Sequence, residues 1–494
     1  MSNQRVTLER IDYASSFRFT RLFGCFRMAT HPSRLLLALL LIVSIFIAGQ
    51  VMDLVWGPQV LPGEFQAFAA QPSAEFVEWR EQIEPAVEDD ARSGIFATAL
   101  QVKIRAFEGL VMAAVQLRPG FDQLRPGGER DGATVIGSLF ALLLVPAWLW
   151  NVYPLFLVLY LIVAGLLWSL LGGAISRQTV LDAAREKVLP ASDAVRFSFR
   201  RWGWFILAPA IPLLVVGGLA LLMAIAGFIL FNVPVLDIFA ALIFGIALAA
   251  AGLMALILIG WFAGVHLMYP ALAAEGTDAF DAMSRAFSYV FSRPWRMIIY
   301  SGVALLYGGL TYLFVGFVIF LALWLAQWTI GAWVVRDAAE GVNFFHAVFP
   351  QPQFGQFVYA PDHDALAGSP TGRVTAVLLA VWVHLFIGLV AAYAISFYFA
   401  SYSVIYLMLR RFTDGTDTAE VYLDDDGDGG PGEPAEKVEP TPPTDPTMPG
   451  GGTSAVTGNV GAPHTPDSDP GSAGELPPDT REPSPPTSPS NPPS

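Results

Sequence analysis

Residues 278–295 read DAFDAMSRAFSYVFSRPW, and they separate two long stretches, 238–273 and 297–335, that contain no Lys, Arg, Asp or Glu. Phe280, Met283, Phe287, Val290 and Phe291 recur at helical spacing and form one apolar face. Asp278 can cap the start, and Asp281 sits in the first turn, where the helix dipole favours a carboxylate. Pro294 disfavours helical geometry in Arg293 and stops the helix there. Trp295 belongs to the residue types that settle at a water–lipid boundary. The stretch therefore predicts an amphipathic elbow (Phe280, Met283, Phe287, Arg293, Pro294, Trp295) lying in a membrane surface between two spans.

The rest of the chain fits that reading. Of 494 residues, 54% are hydrophobic and 14% charged, against about 25% charged in an ordinary soluble domain. Apolar stretches long enough to cross a bilayer, about 20 residues, occur at roughly 35–56, 154–175, 202–231, 238–273, 297–335 and 374–409. A further run, 133–150, ends in Trp148 and Trp150 and is ambiguous between crossing and resting in the interface. The arginines decide the expectation. If 133–150 stays interfacial, the leader (residues 1–34), the loop bearing Arg177 to Arg201, the elbow and Arg410-Arg411 all fall on one side. The positive-inside rule makes that side cytoplasmic. The expected architecture is an all-α polytopic bundle of about six spans in a bacterial cytoplasmic membrane, with both termini cytoplasmic. A seven-span arrangement is the alternative.

Residues 57–132 then form an outer loop carrying an amphipathic helix. Its stripe is Phe96, Leu100, Ile104, Phe107, Val111 and Val115, with Lys103, Arg105 and Glu108 off it. The formal charge of −14 belongs to residues 412–494, where 16 acidic residues face Lys437 and Arg481; the body is neutral. That segment also holds 18 of the 37 prolines and predicts a disordered tail with no apolar surface to bury. Its removal is expected to leave the body's stability unchanged. The run 424–429 matches the start of a calcium loop, but position 12 is Ala435, so a solvated acidic run is expected.

A second elbow precedes the first, and Phe197-Ser198-Phe199 before Trp202 parallels Phe287-Ser288-Tyr289 before Trp295. Duplication of a span–elbow–span unit and convergence on an interfacial composition both account for it. The segments GAISRQTVLDAAREK (173–187) and EGTDAFDAMSRAFSYVFSRPWR (275–296) resemble a family of uncharacterised bacterial polytopic membrane proteins. The layout is loosely similar to the membrane domain beside some glycerophosphodiester phosphodiesterases. The resemblance implies architecture and no chemistry.

Motifs for phosphate cradling, zinc hydrolysis, a nucleophile elbow or thiolate metal binding are missing from the sequence, so no catalytic residue, metal site or cofactor is expected. The lone Cys25 follows Leu22-Phe23-Gly24, an arrangement superficially like a lipoprotein box, but the preceding residues are polar. Within the spans the ionisable residues are His266, His384 and Asp53. Each is a functional candidate by default; for the histidines, hydrogen bonding to backbone or hydroxyls is the plainer reading, against a proton relay or metal pair. Gly260 and Gly264 form a GxxxG that serves either internal packing or self-association. The expected partners are the lipid bilayer and a protein bound through the acidic tail, with no nucleic acid. Three functions fit: a scaffold or assembly factor, a transporter or channel for a small or lipid-like solute, and, least supported, a lipid enzyme.

Overall fold

The computed structural model describes residues 18–70, 74–120, 134–339 and 341–423. Most of the leader, the calcium-like run and most of the acidic tail lie outside them. The described chain is all-α apart from a small antiparallel ribbon, Asp337–Ala339 with Val342–Asn343. Its principal helices are α1 (Pro32–Trp56), α2 (Ile95–Val115), α3 (Val135–Val152), α4 (Pro154–Arg185), α5 (Ala191–Arg200), α6 (Trp202–Asn232), α7 (Leu236–Glu275), α8 (Ala279–Ser292), α9 (Pro294–Gly331) and α10 (Pro370–Thr413). Shorter helices are named by their ranges.

Seven of these, α1, α3, α4, α6, α7, α9 and α10, are long and apolar enough to cross a membrane. Six coincide with the expected spans; the seventh, α3, covers the ambiguous run. It does not stand alone. α2 and α3 form a hairpin, with the Val135 N–H donating to the Arg118 carbonyl at 3.1 Å. The hairpin begins on α1, where Asp53 accepts from the Phe96 and Ala97 N–H groups at 2.7 and 2.8 Å. It ends beside the same region, where the Trp148 indole donates to Glu64 at 3.2 Å. The chain thus leaves and returns at one end of the molecule, so α3 does not alter which end the later loops occupy.

The long helices run antiparallel in pairs. α1 meets α4 through Arg34 and Asp182 at one end (2.7 Å) and through the Trp56 and Phe156 rings at the other (5.6 Å). The C-terminal ends of α4, α7 and α10 come together through Thr179–Ser403 (2.7 Å) and Glu275–Arg410 (2.8 Å). All four basic segments consequently gather at one end, called here the basic end. The largest apolar core lies there, lined by residues such as Cys25, Ala174, Leu181, Leu272, Tyr289 and Leu409. Smaller cores close the opposite end, one around Phe65, Phe96 and Trp148, the other around Phe345, Val348 and Leu366. Between the ends, no residue in the most apolar stretches of α6, α7 and α9 is buried. Leu214, Leu222, Leu242, Ile246, Leu305 and Leu306 are 65–80% exposed, an apolar girdle suited to lipid.

The opening stretch is a helix, capped as expected by Asp278, whose side chain accepts from the Asp281 N–H at 2.9 Å. Its placement differs in one respect. α8 folds back along α7, burying Ala279, Ala282, Ala286, Tyr289 and Val290. The anticipated stripe is turned to the flank: Phe280 is 65% and Phe291 51% exposed, while Met283 and Phe287 are half-buried. Small alanines let the two backbones approach, which the bulky face would not. Gly260 lies under Phe287 and Phe291, and Gly264 faces Ala286, so this GxxxG packs internally. Arg293, Pro294 and exposed Trp295 form the corner at which α9 begins.

α5 folds back on α4 in the same way. The Ser198 hydroxyl donates to the Leu170 carbonyl at 2.6 Å, and the Trp202 indole bonds Ser169 Oγ at 2.7 Å. Both long helices end on a left-handed residue, Glu186 (φ 54°) and Gly276 (φ 64°), with the N–H bonded to the carbonyl four residues back. Glu186 and Gly276 are 90 positions apart, as are Phe197 and Phe287.

Two further expectations are corrected. Glu108, expected off the α2 stripe, is only 9% exposed, whereas Val115, expected on it, is 46% exposed. Moreover, packing continues past residue 411. Phe412 lies under the Arg296 guanidinium (4.1 Å), Val421 is buried, and the Tyr422 N–H donates to the Ala274 carbonyl at 2.7 Å.

Introducing Leu at Gly260 should force α8 off α7 at a cost of about 1–3 kcal/mol, as overpacking does. Leu at Gly218, where an added Cβ meets nothing within 4 Å, should be neutral. Thermal unfolding of both variants in detergent checks this; equal melting temperatures would show that the α7–α8 contact is not close.

Candidate functional site

The basic end concentrates the polar chemistry. Arg34 near the start of α1 is fully buried; it donates to Asp182 at 2.7 Å, the Met28 carbonyl at 2.5 Å and the Gln178 carbonyl at 3.3 Å. Gln178 in turn donates to Ser33 Oγ (2.6 Å) and the Leu189 carbonyl (2.8 Å). Arg177, also fully buried, donates to the Ala273 carbonyl at 2.6 Å and lies 4.3 Å over the Phe197 ring. α1, α4, α5 and α7 are thereby joined by groups from adjacent turns of α4.

A second network ties α7 and α8 to the end of α10. Glu275 takes Arg410 at 2.8 Å and accepts from the Tyr406 hydroxyl at 2.8 Å. The Tyr289 hydroxyl donates to Asp414, which also lies 3.7 Å from Arg285; Arg285 meets Asp281 one turn earlier at 2.9 Å. Burial and the Asp414 carboxylate push the Tyr289 phenol up, so it stays a donor through the physiological range. From Asp414 the chain turns back over the bundle end. Arg185 donates to the Ala419 carbonyl at 3.0 Å and Arg410 to the Glu420 carbonyl. Tyr422 lies beneath Arg201 at 4.8 Å and against Gly276.

These groups consume one another and leave no nucleophile–base pair facing a cleft. Cys25 is buried, and burial pushes its thiol up to about 12, so it is no reactive thiolate. An open cleft of about 350 Å³ beside Arg21 and Arg27 also carries Asp182 and Glu186, which balance its charge. Among the described residues no group of three His, Cys, Asp or Glu side chains could hold a metal.

The two histidines stand apart. His266 Nδ1 shares a 2.7 Å hydrogen bond with the Tyr398 hydroxyl, and its ring stacks 4.8 Å from Tyr402. His384 Nδ1 donates to the Ala380 carbonyl at 2.7 Å. His384 and Tyr398 are 14 residues apart on α10, about 21 Å along the helix, so no relay or metal pair joins them. Asp53 is the cap of α2, as described above. Phe280, Met283, Phe287, Arg293, Pro294 and Trp295 lie on α8 and its corner.

Away from these networks, α2, α9, α10 and the irregular segment 349–360 line a partly open pocket of about 190 Å³. The polar groups at the basic end and this pocket both escaped detection in sequence. Charged residues next to a span read alike whether they face water or each other, and a cavity between helices has no local pattern.

No family model, curated protein or solved structure matches the chain.

Replacing Asp182 with Ala strands the buried Arg34 and should cost about 3–5 kcal/mol. The double replacement Arg34→Met with Asp182→Leu should recover most of that, because no charge is then left unpaired. Denaturant titration in detergent measures both; a single variant as stable as the parent would mean that Arg34 reaches water.

Proposed function

We propose that this chain is a non-enzymatic scaffold of a bacterial cytoplasmic membrane, with its basic end in the cytoplasm and its acidic tail offered to a protein partner. The docked 414–423 segment carries the reading. It packs against Gly276 and Arg201, so the described chain remains part of the body up to the start of the acidic run. Buried arginines answered by carboxylates and carbonyls support a rigid platform rather than a reacting site. The orientation is supported by the four basic segments gathered at one end. The likeness of 173–187 and 275–296 to a polytopic membrane family is proposed on the same corners and extends to architecture alone. A second reading, a carrier for a lipid-like solute, is favoured by the partly open pocket between α9 and α10.

Deleting residues 424–494 should leave thermal stability unchanged and abolish co-purification of a stoichiometric partner from native membranes. Deleting from Phe412 should in addition lower stability, because Val421 and Tyr422 are lost. Retention of the same partner after the shorter deletion would defeat the scaffold reading.

Topology reporters test the orientation separately. One at the C-terminus should be cytoplasmic, and ones inserted near Pro126 and His363 external. A cytoplasmic signal at Pro126 alone would mean that α2 and α3 cross as a pair; one at His363 would reverse the molecule.

A further inference from the structure

The pocket lies midway along the apolar length of α9. Gly316 on its wall is 15 residues before the end of α9, about 22 Å along the helix. Val383 and Ile387 come from the second quarter of α10. α2 contributes Val111, and the remaining wall is the segment 349–360, which has no regular secondary structure. That segment is clamped in place. Its Phe357 N–H donates to buried Glu108 at 2.6 Å, while Phe354 and Phe357 lie edge-on or tilted against Phe320 and Phe107 at 5.9 and 5.6 Å.

Two features describe what would fill the space. The walls from the helices are apolar apart from Tyr312, and the pocket, about 190 Å³, is partly open. Walls of that kind favour hydrocarbon over water. The rim is different. Gln351, Gln353 and Gln356 stand on it, and the Tyr359 hydroxyl is buried without a hydrogen-bond partner among the described residues. That hydroxyl is closed off from the open space, so the polar groups of the lining are the three glutamines and Tyr312.

We propose that this pocket takes up part of the hydrocarbon of an acyl chain, between α9 and α10. The proposal is independent of the scaffold reading, since none of the pocket's residues belongs to the polar networks of the basic end. The same chemistry is supplied by a membrane phospholipid or by a free fatty acid.

Gly316 provides a clean variant. A Cβ there would meet only Val390, at 3.9 Å, so a side chain begins in open space, and replacing a mid-helix glycine favours the helix. The full-length protein is reconstituted in phosphatidylcholine–phosphatidylglycerol vesicles with an acyl probe bearing a terminal diazirine. One arm carries the probe as phosphatidylcholine, the other as the free fatty acid. After photolysis, adducts are mapped by peptide mass spectrometry. Labelling of 312–323 and 383–390 should exceed that of lipid-facing 242–258 at least fivefold per residue in one arm or both, and the responding arm identifies the source. Gly316→Leu should remove at least four-fifths of the cavity labelling and leave 242–258 unchanged. Uniform labelling along the helices, or cavity labelling indifferent to Gly316→Leu, overturns the proposal.

Discussion

Arg34 is fully buried and can be so only because Asp182, 148 positions later, meets its guanidinium at 2.7 Å. An uncompensated buried charge costs several kcal/mol, whereas a well-paired one costs little and admits essentially one geometry. This pair therefore acts as a register pin between α1 and α4. The neighbouring turns of α4 extend the pinning outward. Arg177 reaches the Ala273 carbonyl of α7, and Thr179 meets Ser403 of α10. Lipid supplies no hydrophobic drive for apolar helices to associate with one another. The helices here are accordingly joined by polar groups and small residues at the basic end, and they carry unburied apolar faces between the two ends.

The class of fold was legible because hydropathy is read along the chain and needs no knowledge of partners. The six apolar stretches, the capped helix at 278 and the proline corner at 294 each follow from short runs. Facing was less legible. The stripe Phe280, Met283 and Phe287 is the most hydrophobic face of α8, yet the buried face is the alanine one. In a membrane protein the larger apolar groups can go to lipid, while close backbone approach demands the smaller ones. Glu108 was misplaced for a related reason. Hydropathy assigns a carboxylate to water, but an unpaired backbone N–H on a clamped segment is an equally good destination. The site at the basic end was invisible as a site, because its members were scattered over leader, loop and span ends. The tail boundary was set where charge begins, and so missed Val421 and Tyr422, two apolar side chains among acids.

The paired corners bear on the origin of the fold. Aromatics and arginines at an interface arise readily by convergence. A left-handed cap is a common helix ending, although a glutamate in that conformation costs about 1–2 kcal/mol. Glu186 and Gly276 stand 90 residues apart at the same step of the same path, as do Phe197 and Phe287 on the returning helices. Long span, left-handed cap and returning helix thus recur in one order, but the tryptophan corners, Trp202 and Trp295, are 93 positions apart. Duplication and convergence on an interfacial composition both account for that order.

The end opposite the polar networks is closed by two smaller cores. There the chain places irregular backbone, residues 349–360, against the flanks of α9 and α10. Non-helical backbone is tolerated at membrane depth only where protein or a cavity shields its polar groups. Glu108 accepts one of those groups and the surrounding phenylalanines cover others, but the same arrangement leaves space behind the segment. A larger residue at Gly316 would start to fill that space, since a side chain there begins in the open. A void kept open beside lipid, by a glycine that no neighbouring backbone requires, is a void suited to hold something from the lipid.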